Sequence, residues 1–251
     1  MFRKIRRLLT MLLLLVFVGS VGVILYAQHQ YHTDEQLYSQ AMKQFTAVNV
    51  PRHEEDIKEE TVEVPPIEVD FDALRQENEH VIGWIYCEGT VINYPVVQGS
   101  DNQYYLKHAY DGTYTTSGSI FIDCGNQPDF SDSNTIIYGH HMLNKTMFAP
   151  LGEWADQQFY EEHPFMWLLT PEQNYKIVLF SGYTTKAGSD TYAIFQGAGE
   201  ELDQYIGNAL AKSDFEADVE PGEGERYVLL STCAYVFNNA RSVLHGKLVP
   251  V

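Results

Sequence analysis

The sequence predicts a mainly β domain, a barrel or a two-sheet sandwich, carried behind an N-terminal apolar segment. Three observations predict it. Beyond residue 67, about eight short runs rich in Val, Ile, Tyr and Phe recur, parted by clusters of Gly, Pro, Asn and Asp. Only two longer stretches among them carry helical spacing. The hydrophobic share of 45% and the aromatic share of 13% suit a chain with a packed core rather than a disordered one.

The chain opens on Arg3, Lys4, Arg6 and Arg7, and residues 1–7 read as a basic cytoplasmic end. Residues 8–27, Leu8 to Ala27, are uncharged and mostly Leu, Val, Ile, Phe, Gly and Met. As a helix, twenty residues at about 1.5 Å each span roughly 30 Å, the hydrocarbon thickness of a bilayer. Cations just before such a run place the N-terminus in the cytoplasm. The run is longer than a signal-peptide core, and Leu25-Tyr26-Ala27-Gln28 is a poor cleavage site. It is expected to be an uncleaved, single-pass membrane anchor, with everything after it extracytoplasmic.

Residues 28–66 read as a stalk and an acidic linker. Thr33 to Phe45 suits a short polar helix, and Thr46 to Pro66 is Glu-rich with Pro51, Pro65 and Pro66. Anchor, stalk and linker are expected to supply location, not chemistry.

The folded extracytoplasmic domain is expected over residues 67–251. Asp70 is a fitting N-cap for a helix over Phe71 to Glu79, with Asp72 in its first turn. Strands are predicted at Val81 to Tyr86, Val91 to Gln98, Gly118 to Asp123, Thr135 to Tyr138, Met166 to Leu169, Tyr175 to Tyr183, Arg226 to Ser231 and Val243 to Val249. The helical stretches run from Phe148 through Phe159 and from Glu200 to Lys212. The second carries Leu202, Tyr205, Ile206, Ala209 and Leu210 on one face.

Charge and cysteine content narrow the function. A formal charge of −18 argues against a nucleic-acid partner, which demands dense positive surface. Three cysteines leave at least one thiol unpaired; Cys87 and Cys124 could pair, though nothing in the sequence demands it. No CxxC, HExxH or zinc-spaced His/Cys cluster occurs, so no metal or other cofactor is expected.

Three residues stand out together. Cys233 ends the apolar run Tyr227-Val228-Leu229-Leu230-Ser231-Thr232-Cys233. Free cysteines are most often buried core residues, but a thiol at a strand end, eight residues before an arginine, is accessible and has a cation at hand. His140 follows the β-branched run Thr135-Ile136-Ile137-Tyr138 after Gly139, which would permit a sharp turn and present the ring from a strand end. Arg241 stands at the start of the last strand, where a guanidinium can steady an oxyanion. The order His, Cys, Arg on an exported β-rich domain is more specific than any one member.

With these residues in place the chain resembles the sortase family, class B in particular. The likeness covers roughly Phe71 to Val249 and includes YGHHM, LLSTCAY and RSVLHGKLV. It extends to the supporting segments IGWIYCEGTVINYPVVQGSDNQYYL, GSIFID and MFAPLGEW. The resemblance implies an eight-stranded β-barrel with an N-terminal helix and a helix between the sixth and seventh strands. It implies a cysteine transpeptidase, a peptidase-type hydrolase and transferase, with His140, Cys233 and Arg241 as its catalytic residues. The implied partners are secreted proteins bearing a C-terminal sorting motif, cut at a Thr. The acceptor would be an amine of peptidoglycan precursor or a pilin lysine. Ser231, Thr232 and Tyr235 flank the nucleophile as candidate substrate contacts, with Ser231 on its side of the strand. His141 stands where the family pattern often has Asn. No carboxylate is found to orient His140, and Asp123 reads as a turn residue.

Two other readings are weighed. An L,D-transpeptidase is also exported and cysteine-dependent, but its Ser-x-Gly before the cysteine is missing here. A non-catalytic wall-binding domain would have no reason to keep all three catalytic residue types.

Overall fold

The structure, a computed structural model, describes residues 2–49, 64–219, 222 and 224–251. The acidic run from Glu54 to Glu60 lies outside the described residues.

The first helix, α1 (Phe2–Phe45), is 44 residues long and unbroken. Its apolar window is fully exposed, and among the described residues it is the one helix long and apolar enough to cross a membrane. The stretch expected as a separate stalk is the C-terminal part of this helix, and it is packed down. Asp34, Tyr38, Ala41 and Phe45, spaced four, three and four apart on one face, are buried against the rest of the molecule. The folded unit therefore begins well before Ile67. Strand β1 (Thr46–Val48) pairs antiparallel with β2 (Ile67–Val69), which clips together the two ends of the acidic linker.

Helix α2 (Phe71–Glu77) starts where Asp70 accepts the Ala73 amide at 2.9 Å. It stops before Glu79, because Asn78 turns extended and spends its side chain on the Tyr105 hydroxyl at 2.9 Å.

Eight strands then close into a barrel: β3 (Val81–Tyr86), β4 (Asn93–Val97), β5 (Ile120–Ile122), β6 (Asn134–Tyr138), β7 (Phe165–Leu169), β8 (Tyr175–Lys186), β9 (Tyr227–Cys233) and β10 (Ala240–Pro250). Their order around the barrel is β10-β8-β7-β3-β4-β5-β6-β9, with β4/β5 and β6/β9 parallel and the other pairs antiparallel. The fold is thus the eight-stranded barrel expected. Both β8 and β10 outrun the expectation by three residues at the same end, where Ala240 pairs with Lys186 and Arg241 with Thr185. Arg241 accordingly lies inside β10.

The interior is filled by Trp84, Ile85, Val96, Ile120, Ile137, Leu168, Ile177, Leu179 and Leu230, and the same cluster extends to Tyr38, Ala41 and Phe45 of α1. The helix expected from Phe148 is split. Pro150 and Gly152 hold Ala149–Ala155 in a tight three-residue-per-turn coil, and α3 (Gln157–Glu162) restarts behind the Asp156 cap. Helix α4 (Glu200–Lys212) falls between the sixth and seventh barrel strands. It buries Leu202, Tyr205, Ile206 and Ala209 on a second cluster with Ile136, Phe180, Tyr183 and Leu229. Leu210, expected on that face, is 39% exposed. All three cysteines are free, with Cys87 buried and Cys124 exposed.

Candidate active site

Strand pairing brings His140, Cys233 and Arg241 to one end of the barrel. In the parallel β6/β9 ladder Tyr138 is level with Ser231, and the Gly139 amide donates to the Ser231 carbonyl at 3.1 Å. His140 and Cys233, each two residues further on, leave adjacent strands at the same height. Across the antiparallel β9/β10 ladder, Arg241 is the direct partner of Cys233. All three side chains are half-buried.

Gly139 serves a different end from the one expected. Its backbone is not left-handed; a Cβ there would lie 2.5 Å from Ile120 Cδ1 and 2.7 Å from the Phe148 ring. Glycine lets the chain leave the barrel between those two side chains, and this sets the exit direction of His140.

Among the described residues no carboxylate is hydrogen-bonded to the histidine. Instead His140 Nε2 donates to the Leu106 carbonyl at 2.7 Å. A carbonyl only accepts, so Nε2 carries hydrogen and Nδ1 is the nitrogen free to exchange a proton. Leu106 ends a short coil, Tyr104–Leu106, on the β4–β5 connection. The His141 ring goes elsewhere, packing edge-on against Tyr235 at 5.1 Å between centroids. Arg241 Nη1 donates to the Ala240 carbonyl at 2.9 Å, and among the described residues the guanidinium makes no ion pair.

Of the flanking candidates, Ser231 shares the face of Cys233 and hydrogen-bonds Tyr192 through its hydroxyl at 2.8 Å. Thr232 is buried on the opposite face, 2% exposed. Tyr235 lies in the loop beyond the strand, 70% exposed, its hydroxyl donating to the His141 carbonyl at 3.3 Å.

Two further residues border the site: Tyr192, which carries no sequence signal, and Asp123, which reads from the sequence as a turn residue. Tyr192, on a short coil after β8, stacks near Tyr138 at 6.3 Å and reaches Ser231. Burial pushes its phenol upward, while the Ser231 hydrogen bond and the Arg241 charge act the other way. Asp123 caps a turn through the Gly125 amide at 2.9 Å. It also accepts from the Tyr138 hydroxyl at 2.9 Å and from Asn102 at 2.8 Å, so it is more than the turn residue expected. The remaining deep histidine, His245, is fully buried in the barrel wall beside Tyr205 at 3.0 Å, and burial pushes it down to about 3. It is held neutral and away from the strand ends.

No family model matches the chain. Its relatives are nevertheless plain. Sortase B of Listeria monocytogenes is 36% identical over 180 residues, 70% of this chain and 72% of the relative. Sortase B of Staphylococcus aureus is 28% identical over 252 aligned positions, 99% of each chain. Among solved structures, sortase B from Bacillus anthracis superposes with a TM-score of 0.74 at 30% identity, covering 89% of this chain and 99% of that one. Barrel, inserted helix and relatives together define a sortase-type transpeptidase. The chain belongs to the sortase family, and within it to class B. Neither the L,D-transpeptidase nor the wall-binding reading is favoured by these matches.

Proposed function

We propose that this sortase works through a thioacyl intermediate on Cys233, with His140 as acid/base and Arg241 as the oxyanion's partner. One observation supports the reading: the adjoining β6/β9 and β9/β10 ladders pair Cys233 with Arg241 and bring Tyr138, two residues before His140, level with Ser231, two residues before Cys233.

The steps follow from that arrangement. The Cys233 thiolate, its proton taken up by His140 Nδ1, attacks the carbonyl carbon of a Thr in the sorting motif of a secreted protein. Arg241, directly opposite, supports the oxyanion that forms. The intermediate collapses with cleavage of the C–N bond, and His140 gives its proton to the departing amine. This leaves the Thr acyl group on sulfur. A second amine, from peptidoglycan precursor or a pilin lysine, attacks the thioester and yields its proton to His140. The C–S bond breaks, and the Cys233 thiolate is restored beside a protonated His140. Because the acyl energy is held in the thioester, amide formation with the second amine replaces hydrolysis.

Ser231 and Tyr192 form the wall beside the nucleophile. Their paired hydroxyls suit hydrogen bonding to an extended peptide backbone. The apolar part of α1 would span the membrane, with Arg3, Lys4, Arg6 and Arg7 in the cytoplasm and the barrel outside.

The test is transfer. The full chain, in detergent, is given a library of peptides that each carry one Thr, together with hydroxylamine as a strong amine nucleophile. The expected product is a fragment ending in Thr hydroxamate, absent with Cys233→Ala. Cleavage that persists in Cys233→Ala would refute the reading.

A further inference from the structure

The helix that carries the apolar segment also reaches the catalytic histidine by two routes. The first runs through the β4–β5 connection. Asp34, 5% exposed, accepts three hydrogen bonds at Oδ2: from the Ser117 hydroxyl at 2.7 Å, the Ser117 amide at 3.1 Å and the Thr116 hydroxyl at 3.0 Å. The Tyr38 hydroxyl donates to the next carbonyl, Gly118. Gly118 is left-handed, with φ 56°, and lies flat against the coil that holds His140. A Cβ there would meet the Tyr105 and Leu106 carbonyl oxygens at 2.5 and 2.8 Å. The flanking backbone is tied to the same coil, with the Ser119 amide on the Tyr105 carbonyl and the Thr115 amide on the Lys107 carbonyl, both at 2.9 Å. Leu106, between them, is the acceptor of His140 Nε2.

The second route runs through the β6–α3 connection. The Tyr38 ring packs edge-on against Tyr94 at 5.3 Å. The Tyr94 hydroxyl accepts the Met147 amide at 3.1 Å, and the next amide, Phe148, donates to the His140 carbonyl at 2.9 Å. The ring and the backbone of His140 are thus both referred to the same two turns of α1.

We infer that Asp34 and Tyr38 are positioning residues for His140, so that the docked end of the apolar helix sets the geometry of the acid/base. This rests on the reading of His140 given above. It also revises the expectation that the segments before the barrel supply location alone. A buried acidic side chain with three donors is costly to place unless every partner is fixed, so the Ser117-Gly118 turn has one favoured seat under the helix.

The test uses the full chain in detergent micelles, with Asp34→Ala, Asp34→Asn, Ser117→Ala and His140→Ala assayed from about pH 5 to 9, the range that brackets histidine titration. Asp34→Ala should lower kcat roughly ten- to a hundredfold, as a displaced catalytic group does, with little change in KM. Asn keeps an acceptor oxygen and should rescue most of the loss. Ser117→Ala, a gentler change at the other end of the contact, should move kcat the same way while the melting temperature stays near that of the parent. The histidine-dependent limb of the pH–rate profile should shift in both Asp34→Ala and Ser117→Ala, together with the His140 Nε2 resonance in nitrogen-15 spectra. An inactive His140→Ala beside an Asp34→Ala protein with unaltered kcat, profile and resonance would overturn the brace alone. An active His140→Ala would overturn the acid/base reading and the brace with it.

Discussion

Cys233 and Arg241 face each other as direct partners in the antiparallel β9/β10 ladder, so the thiol and the guanidinium rise from neighbouring strands. The distance between them is set by backbone pairing, not by flexible loops. The loop of residues 234–239 that joins β9 and β10 is closed at its base by the Ala234 amide, which donates to the Ala240 carbonyl at 2.9 Å.

From that pairing, Arg241→Lys should be nearly as damaging as Arg241→Ala, each costing on the order of 10²–10³ in kcat. Lysine keeps the charge but loses the planar fork that can bond the Ala240 carbonyl and still face an oxyanion. Steady-state peptide cleavage decides it. Near-normal activity in the Lys variant would reduce Arg241 to a diffuse positive charge.

The adjacent histidines should separate cleanly. His140→Ala removes the group held by Leu106 and should lose on the order of 10²–10⁴ in rate. His141→Ala or His141→Asn removes only the packing partner of Tyr235 and should leave most activity. A dead His141→Ala beside a working His140→Ala would show that the roles are exchanged.

The three free thiols should differ in reactivity. Cys87 is buried, and burial pushes its thiol up to about 12. Native protein treated with iodoacetamide at neutral pH should be labelled at Cys124 and Cys233, and at Cys87 only after unfolding. Peptide mapping reads this directly; rapid native labelling of Cys87 would show that the barrel end near Glu88 opens freely.

His245 should make the fold acid-sensitive. Its folded value is depressed to about 3 by burial, against an unfolded value near 6.5. The unfolded chain therefore takes up a proton that the folded chain refuses. The stability tied to His245 is fully present above about pH 6.5 and is lost as the pH falls from there toward 3. Urea unfolding across that window should show a slope that flattens in His245→Gln; an unchanged slope would assign acid sensitivity to other groups.

Much of this was legible in the sequence. The strands announced themselves through runs such as Thr135-Ile136-Ile137, and α4 through Leu202, Tyr205, Ile206 and Ala209 at helical spacing. The order in which the strands close is set by pairings between distant segments, which local pattern does not carry; the resemblance implied only a barrel of eight strands. The docking of α1 was hidden because its buried stripe is narrow and begins with Asp34, which hydropathy assigns to water. The His140 acceptor was hidden for another reason. It is a backbone carbonyl, and any residue at position 106 would supply one. Tyr192 lies in irregular chain whose neighbours in space are fixed only by closure of the barrel.

If the acyl group rests on Cys233, the acyl-enzyme can be trapped there. The full chain, mixed with a cleavable Thr-containing peptide and quenched in acid within the first turnover, would be digested and mapped by mass spectrometry. The peptide containing Cys233 should carry an added mass equal to the substrate's Thr-terminal acyl fragment, released by hydroxylamine. The same mass on Cys87 or Cys124, or turnover with no adduct on any cysteine, would contradict the assignment to Cys233.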